Sequence, residues 1–137
     1  MSKTTHPIFD KDLMFYENQA MTATLTSPAK TLYGGKMLAA VAVIPEAETG
    51  DAVKLTVEAS PAGAGTYNVI AGDIKGAQVI PTGGIALTVP FILAPGKWDV
   101  RIVLTATVNA APGNFGNINA GITNFVMGEW ERGEFFD

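Results

Sequence analysis

The 137-residue chain has no cysteine and only one histidine, His6. Without cysteine the fold cannot contain a disulfide, and a thiolate metal site is impossible. A metal centre or a Ser-His-acid triad built on His6 would need rigid partners, and His6 stands before Pro7 in a segment that we expect to be mobile. We therefore expect His6 to be an exposed bystander, no cofactor to be bound, and packing alone to hold the fold together.

Charge is also scarce, because charged residues make up 16% of the chain and hydrophobic residues 47%. The nine basic residues are scattered and the formal net charge is -4, so we expect no direct nucleic-acid partner. No run approaches the roughly 18 apolar residues of a membrane helix, and the start of the chain lacks the apolar region of a signal peptide. These absences predict a soluble protein made in the cytoplasm, with no membrane partner. Low charge also favours an oligomer.

Short alternating segments separated by proline and glycine clusters are what the sequence does contain. Residues 51–72 show the pattern best, because a first alternating run ends at Pro61–Gly65 and a second follows, which predicts a hairpin. The predicted core-facing positions of the first run are Val53, Leu55, Val57 and Ala59, and the predicted solvent-facing positions are Lys54, Thr56, Glu58 and Ser60.

Eight short β-like runs occur along the chain. They cover residues 20–27, 37–44, 52–60, 66–71, 75–80, 85–93, 98–108 and 121–127. This number and spacing predict an all-β sandwich. The long run 98–108 places Trp98, Val100, Ile102, Leu104, Ala106 and Val108 on one face and predicts a central strand. Pro90 lacks a backbone donor and predicts a sheet edge or a bulge. The best helix candidate is residues 10–20, although an extended arm fits them equally well.

Chemistry-bearing residues form no recognisable catalytic pattern. Asp10 and Asp12 have a spacing seen in calcium loops, but the residues that follow do not complete an EF-hand. Paired carboxylates for glycoside hydrolysis would have to come from Glu46, Glu48, Asp51, Glu58, Asp73 and Asp99. Most of these stand beside predicted turns or on solvent-facing positions, and no cluster of aromatic residues accompanies them. We therefore expect solvated surface charges and no enzymatic activity.

Hydrophobic and aromatic residues are concentrated at both ends of the chain. They either fold back as core or anchor the chain on a neighbouring protein, since large aromatic side chains are ordered at modest entropic cost. The candidate subunit or capsid contacts are Ile8, Phe9, Leu13, Phe15, Tyr16, Trp130, Phe135 and Phe136.

Three stretches, in the same order, resemble the Bbp16-like capsid cement proteins of tailed bacteriophages. The first is IFDKDLMFYENQAMTAT, whose matching residues are Ile8, Asp10, Leu13, Phe15, Gln19, Ala20 and Thr22. The second is LTVEASPAGAGTYNVI, and the third is WDVRIVLTATVNAAPGNFGNINAGIT. The resemblance spans most of the chain, but Trp98 stands where a tyrosine is expected, and the ending GEWERGEFFD departs from the pattern.

The resemblance implies a jelly-roll-like β-sandwich of about eight antiparallel strands with an N-terminal arm. It divides the chain into an arm or short helix (1–19), a jelly-roll domain (20–127) and a tail (128–137). It also implies a homotrimer on the outer surface of the phage head, where the protein would bind the major capsid protein and tie neighbouring capsomers together in the virion.

A carbohydrate-binding β-sandwich module, or a fibre domain on the head surface, is the alternative, because one fold serves many functions. Such a module needs exposed aromatic side chains, and the candidates are Tyr33, Tyr67, Trp98 and Phe115. Trp98 is in phase with Val100 and Ile102, so we expect it to pack in the core instead.

Overall fold

The computed structural model describes residues 13–72 and 76–124, which form an all-β sandwich of two antiparallel sheets. The strands are β1 (Met14–Ala20), β2 (Leu25–Thr26), β3 (Lys30–Tyr33), β4 (Met37–Ile44), β5 (Ala52–Pro61), β6 (Asn68–Gly72), β7 (Gln78–Val79), β8 (Ile85–Ile92), β9 (Lys97–Thr107) and β10 (Asn117–Asn124). Among the described residues, no helix is long and apolar enough to cross a membrane.

The strand order is that of a jelly roll, as predicted. One sheet has the order β1-β10-β4-β8. In the other, β9 pairs with β5 on one side and with both β2 and β3 on the other, while β5 also pairs with β6 and β7. If β2–β3 and β6–β7 are each counted as one interrupted strand, the first sheet contains the first, eighth, third and sixth strands, and the second sheet contains the rest.

The core lies between the two sheets and is built by the alternation of their strands. On β5 the side chains of Val53, Leu55 and Val57 are fully buried, and Ala59 is 2% exposed, which confirms the predicted core-facing positions. The facing sheet contributes apolar side chains from β4, β8 and β10 to the same cluster. Because both sheets have one apolar face, packing them together removes both faces from water.

The predicted hairpin is confirmed, since β5 and β6 pair antiparallel, with a register shift between Val57 and Glu58. The prediction that Ser60 faces solvent is wrong, because Ser60 is fully buried. Its hydroxyl donates a hydrogen bond to the carbonyl of Pro61 (3.0 Å) and accepts one from the backbone N–H of Thr66 (3.1 Å). The turn therefore covers Ser60, and its backbone groups make the hydrogen bonds that water would make to an exposed serine.

The predicted helix over residues 10–20 is wrong for residues 14–20, which form strand β1. This strand pairs with β10, with register shifts on either side of Tyr16, and Phe15 packs in the core with 8% of its side chain exposed. Residues 14–20 are therefore extended, which was the alternative to the helix. They do not form a separate arm, because they pair with β10 inside the sandwich. The predicted boundary between residues 19 and 20 falls inside β1.

Two predictions about strand position are confirmed. β9 is central in its sheet, and β8, which contains Pro90, lies at the edge of the four-stranded sheet and pairs only with β4 among the described strands. The short strand β3 was missed because it has only four residues and begins two residues after Pro28. β10 begins at Asn117, earlier than the predicted 121, and the predicted tail 128–137 lies outside the described residues.

Candidate functional site

The two sheets differ sharply in charge. Strands β4, β8 and β10 of the four-stranded sheet contain no charged residue, and β1 contains only Glu17. The charged residues in the strands of the six-stranded sheet are Lys30, Lys54, Glu58, Lys97, Asp99 and Arg101. A face without charge loses little on leaving water, so the four-stranded sheet is the better candidate for contact with another protein.

Residues 17–20 of β1, which include Glu17, are exposed, and a second exposed part of this sheet, which has no charge, lies along β8 and the start of β4. We call it the β8 surface, and it consists of Met37, Ala86, Thr88, Pro90 and Ile92. Ile92 is 63% exposed and Met37 is 41% exposed, and these two residues are directly paired across the strands.

The alternation of β8 produces this surface. Its odd-numbered residues Leu87, Val89 and Phe91 are buried in the core, so the even-numbered residues must face outward. The centre of the same outer face is covered, because Ala39 and Val41 are fully buried. The large exposed hydrophobic side chains of this sheet, Met37 and Ile92, therefore lie at its β8 edge, where they are accessible to a partner.

The outer face of the six-stranded sheet carries an ion pair between Arg101 and Glu58. The Nε of Arg101 donates to Oε1 of Glu58 (2.8 Å), and the guanidinium lies 4.0 Å from the centre of the Tyr67 ring. Both members of the ion pair are partly exposed, so the pair contributes little to stability. The ion pair holds the Arg101 guanidinium over the Tyr67 ring. Less of the aromatic ring is therefore accessible to a ligand.

Asp99 on the same face is held at the turn after β5. Its carboxylate accepts hydrogen bonds from the backbone N–H of Gly63 (3.0 Å) and from the hydroxyl of Thr31 (2.9 Å). These two bonds, in that order of importance, lower the pKa of Asp99 below its usual value of 3.8. The carboxylate therefore holds the turn in place, which is a structural role.

A shallow depression of about 400 Å³ crosses the middle of this face. Its lining residues are Lys54, Thr56, Glu58, Val69, Gly72, Val103 and Thr105. The two threonine hydroxyls and Lys54 offer hydrogen bonds to a polar ligand, but the lining contains no aromatic ring. Within residues 13–72 and 76–124, no group of three or more His, Cys, Asp or Glu side chains could hold a metal ion.

The contacts predicted from the chain ends fall into two groups. Leu13 and Tyr16 are half-buried against the core, where burial raises the pKa of the Tyr16 hydroxyl above 10.0, and Phe15 points into the core. Phe15 is 8% exposed and offers little side-chain surface to a partner, and contacts through Leu13, Phe15 and Tyr16 stay a prediction. The remaining candidates lie outside the described residues, and they are Ile8, Phe9, Trp130, Phe135 and Phe136.

Sequence reasoning missed Met37 and Ile92. The signal that would have found them is a lack of charge, because residues 76–96 contain no charged residue although half of β8 faces outward. A solvent-facing strand side normally carries polar residues, and edge strands in particular are protected by charge. Among the described residues of β8, Pro90 is the one that protects the edge.

Three of the four aromatic candidates for glycan binding are buried or packed against other side chains. Phe115 is fully buried, which overturns its selection as an exposed contact. Trp98 packs against the core as predicted, although it stays partly exposed, and its Nε1 donates to the carbonyl of Ala94 (2.9 Å). Tyr67 lies under Arg101, and Tyr33 is 68% exposed.

A comparison with protein-family models finds no family that matches the chain, and a comparison with curated proteins finds no matching relative. Functional inference therefore depends on the surfaces of the fold and on the sequence resemblance described above.

Proposed function

We propose that this protein is a structural cement or decoration protein of a tailed bacteriophage, which binds the outer surface of the head as a homotrimer. Its partners are sister subunits and the major capsid protein, and it needs no cofactor. The observation that carries the proposal is the β8 surface, which is exposed and uncharged and includes Met37 and Ile92, on a fold whose strand charges, except Glu17, lie in the other sheet. The sequence resemblance supplies the phage context.

The β8 surface favours a protein partner over a small ligand. It is a strip along a strand rather than a concavity, and ligand sites are normally concave. Its apolar side chains, Met37 and Ile92, would leave water on association, which is the main favourable contribution in most interfaces. Pro90 removes a backbone donor from β8, so a partner strand cannot extend the sheet regularly past it. We therefore expect face-to-face packing.

Multivalency makes modest contacts sufficient for a cement role. A head filled with DNA fails when capsomers separate, and a subunit that bridges them resists separation because its own contacts must then break. In a trimer, the first contact to bind raises the effective concentration of the other two, so the avidity far exceeds the affinity of one site. Binding surfaces alone therefore meet the requirement, and no reactive group is needed.

The first experiment measures the mass of the purified full chain by size exclusion with light scattering. We expect three times the 14.3 kDa of one chain over a wide concentration range. The trimer should then cosediment with phage heads that lack the protein, and heads already saturated with it serve as the control. The proposal is contradicted if the protein is a monomer at every concentration, or if the trimer does not cosediment with undecorated heads.

A carbohydrate-binding module is the second candidate, and the depression on the six-stranded sheet favours it. The hydroxyls of Thr56 and Thr105 and the ammonium of Lys54 line this depression, and glycans are bound through such groups. Saturable glycan binding that Thr56→Val abolishes, by a protein that stays monomeric, would support the module. A glycan array without signal would eliminate it.

A further inference from the structure

Asp51 is a buried carboxylate with one unpaired oxygen. It stands in the loop between β4 and β5 and is 1% exposed. Its Oδ1 accepts a hydrogen bond from the backbone N–H of Asn109 (3.0 Å), whereas its Oδ2 is buried without a hydrogen-bond partner. Burial of a carboxylate oxygen without a hydrogen-bond partner costs free energy, because the oxygen loses its hydration. A positive charge or a hydrogen-bond donor next to Oδ2 would compensate this cost.

The backbone holds Asp51 in this position. Its N–H donates to the carbonyl of Glu48 (3.0 Å), and its carbonyl accepts from the N–H of Ile80 (3.1 Å). Gly50 adopts a φ of 86° inside the turn, where a Cβ would come within 2.8 Å of the side-chain nitrogen of Asn109. With the backbone held in this way, rotation of the carboxylate out to water would break its hydrogen bond with the N–H of Asn109.

A cavity of about 270 Å³ lies beside Asp51. It is lined by Glu48, Thr49, Asp51, Asn109, Ala110, Ala111 and Pro112. The amide nitrogen of Asn109 donates to the carbonyl of Thr49 (3.1 Å), so the amide oxygen is left as an acceptor. Asp51, Glu48 and Asn109, which come from two loops, therefore line the same cavity.

Neither of these loops provides a cation of its own. Residues 45–51 and 108–116 contain no lysine or arginine, but they contain Glu46, Glu48 and Asp51. Oxygen ligands without nitrogen or sulfur suit a hard divalent cation, and carboxylates combined with an amide oxygen in irregular loops suit Ca²⁺ better than Mg²⁺, which demands near-ideal octahedral geometry.

We propose that this cavity is a Ca²⁺ site in which Asp51, Glu48 and Asn109 bind the ion and tie the β4–β5 loop to the β9–β10 loop. The ion neutralises the buried carboxylate and cross-links segments that are 58 residues apart. The site is independent of the capsid role, because it lies in loops and includes no residue of the β8 surface. Its ligand count is low, so we expect affinity in the weak range of protein Ca²⁺ sites, about 0.1–1 mM.

The test is calcium titration of the full chain after treatment with a chelator. Isothermal titration should give one Ca²⁺ per chain, and Ca²⁺ at ten times its Kd should lower the equilibrium constant of unfolding about elevenfold. MgCl₂ should have a much weaker effect. Asp51→Asn should abolish the response, and Glu48→Gln, which changes an exposed side chain, should raise the Kd about tenfold without loss of folding.

Glu46→Gln is the matched control, because it removes the same charge from the same loop but does not line this cavity. It should keep the calcium response of the unchanged chain. The proposal is overturned if no heat is measured up to about 10 mM Ca²⁺, ten times the weakest expected Kd. It is equally overturned if Glu48→Gln binds like the unchanged chain, or if all three variants lose binding alike, which would mean nonspecific attraction to acidic loops.

Discussion

Replacing Ile92 with aspartate should dissociate the proposed trimer or detach it from the head. Ile92 is 63% exposed in a single chain, so most of its side chain is free to be buried by a partner. Full burial of an isoleucine side chain is worth about 1.5–3 kcal/mol, and the exposed fraction therefore corresponds to roughly 1–2 kcal/mol for each contact. An unpaired aspartate buried in the same place adds a further penalty of several kcal/mol.

Three equivalent contacts in a trimer multiply the effect. The lost apolar burial alone amounts to roughly 3–6 kcal/mol for the assembly, which corresponds to a factor of about 10²–10⁴ in the overall dissociation constant. Light scattering over a dilution series should show the trimer of Ile92→Asp breaking up at concentrations where the unchanged chain stays intact. If Ile92 contacts the capsid instead, the trimer should persist and cosedimentation with heads should weaken.

Val69 provides a matched control, because it is also 63% exposed and lies on β6 of the other, charged sheet. Val69→Asp introduces the same charge on an edge strand and should leave both assembly and head binding unchanged. Circular dichroism should show that both variants remain folded. If Ile92→Asp assembles and binds like the unchanged chain, or if both variants fail together, the assignment of the β8 surface is refuted.

Three further predictions concern the fold. Phe115→Ala should lower the free energy of unfolding by about 3–5 kcal/mol, because the ring is fully buried, and urea titration checks this; a loss below about 1 kcal/mol would contradict the core position. NMR titration of Asp99 should give a midpoint below 3.8, since the Gly63 hydrogen bond favours the charged form. The stability that this bond contributes is present above the unfolded-state pKa and is lost as pH falls through the folded-state pKa, so a midpoint at or above 3.8 would contradict the bond. Deletion of residues 1–12 should preserve the sandwich, whereas deletion of residues 1–19 removes most of β1 and should lower the melting temperature. Equal melting temperatures of the two truncated proteins would contradict the pairing of β1 with β10.

Local sequence pattern is enough to predict the class of this fold. Alternation over 53–60, and over 98–108 apart from Val103, places apolar side chains on one face, and that face must be buried whatever strand lies opposite. Proline and glycine clusters end each strand for steric reasons that act within a few residues. The hairpin at 51–72, the central position of β9 and the edge position of Pro90 could therefore be predicted without the tertiary structure.

Features that depend on distant parts of the chain could not be predicted in this way. Residues 14–20 fit a helix or an extended arm equally well, and only pairing with β10 selects the strand. Ser60 alternates as a surface residue, yet a turn folds over it. The juxtaposition of Asp51 with Asn109 and the exposure of Ile92 depend on which loops and edges meet in space. Alternation sets the face on which a side chain lies, but its burial depends on what packs against that face, and only the three-dimensional fold determines this.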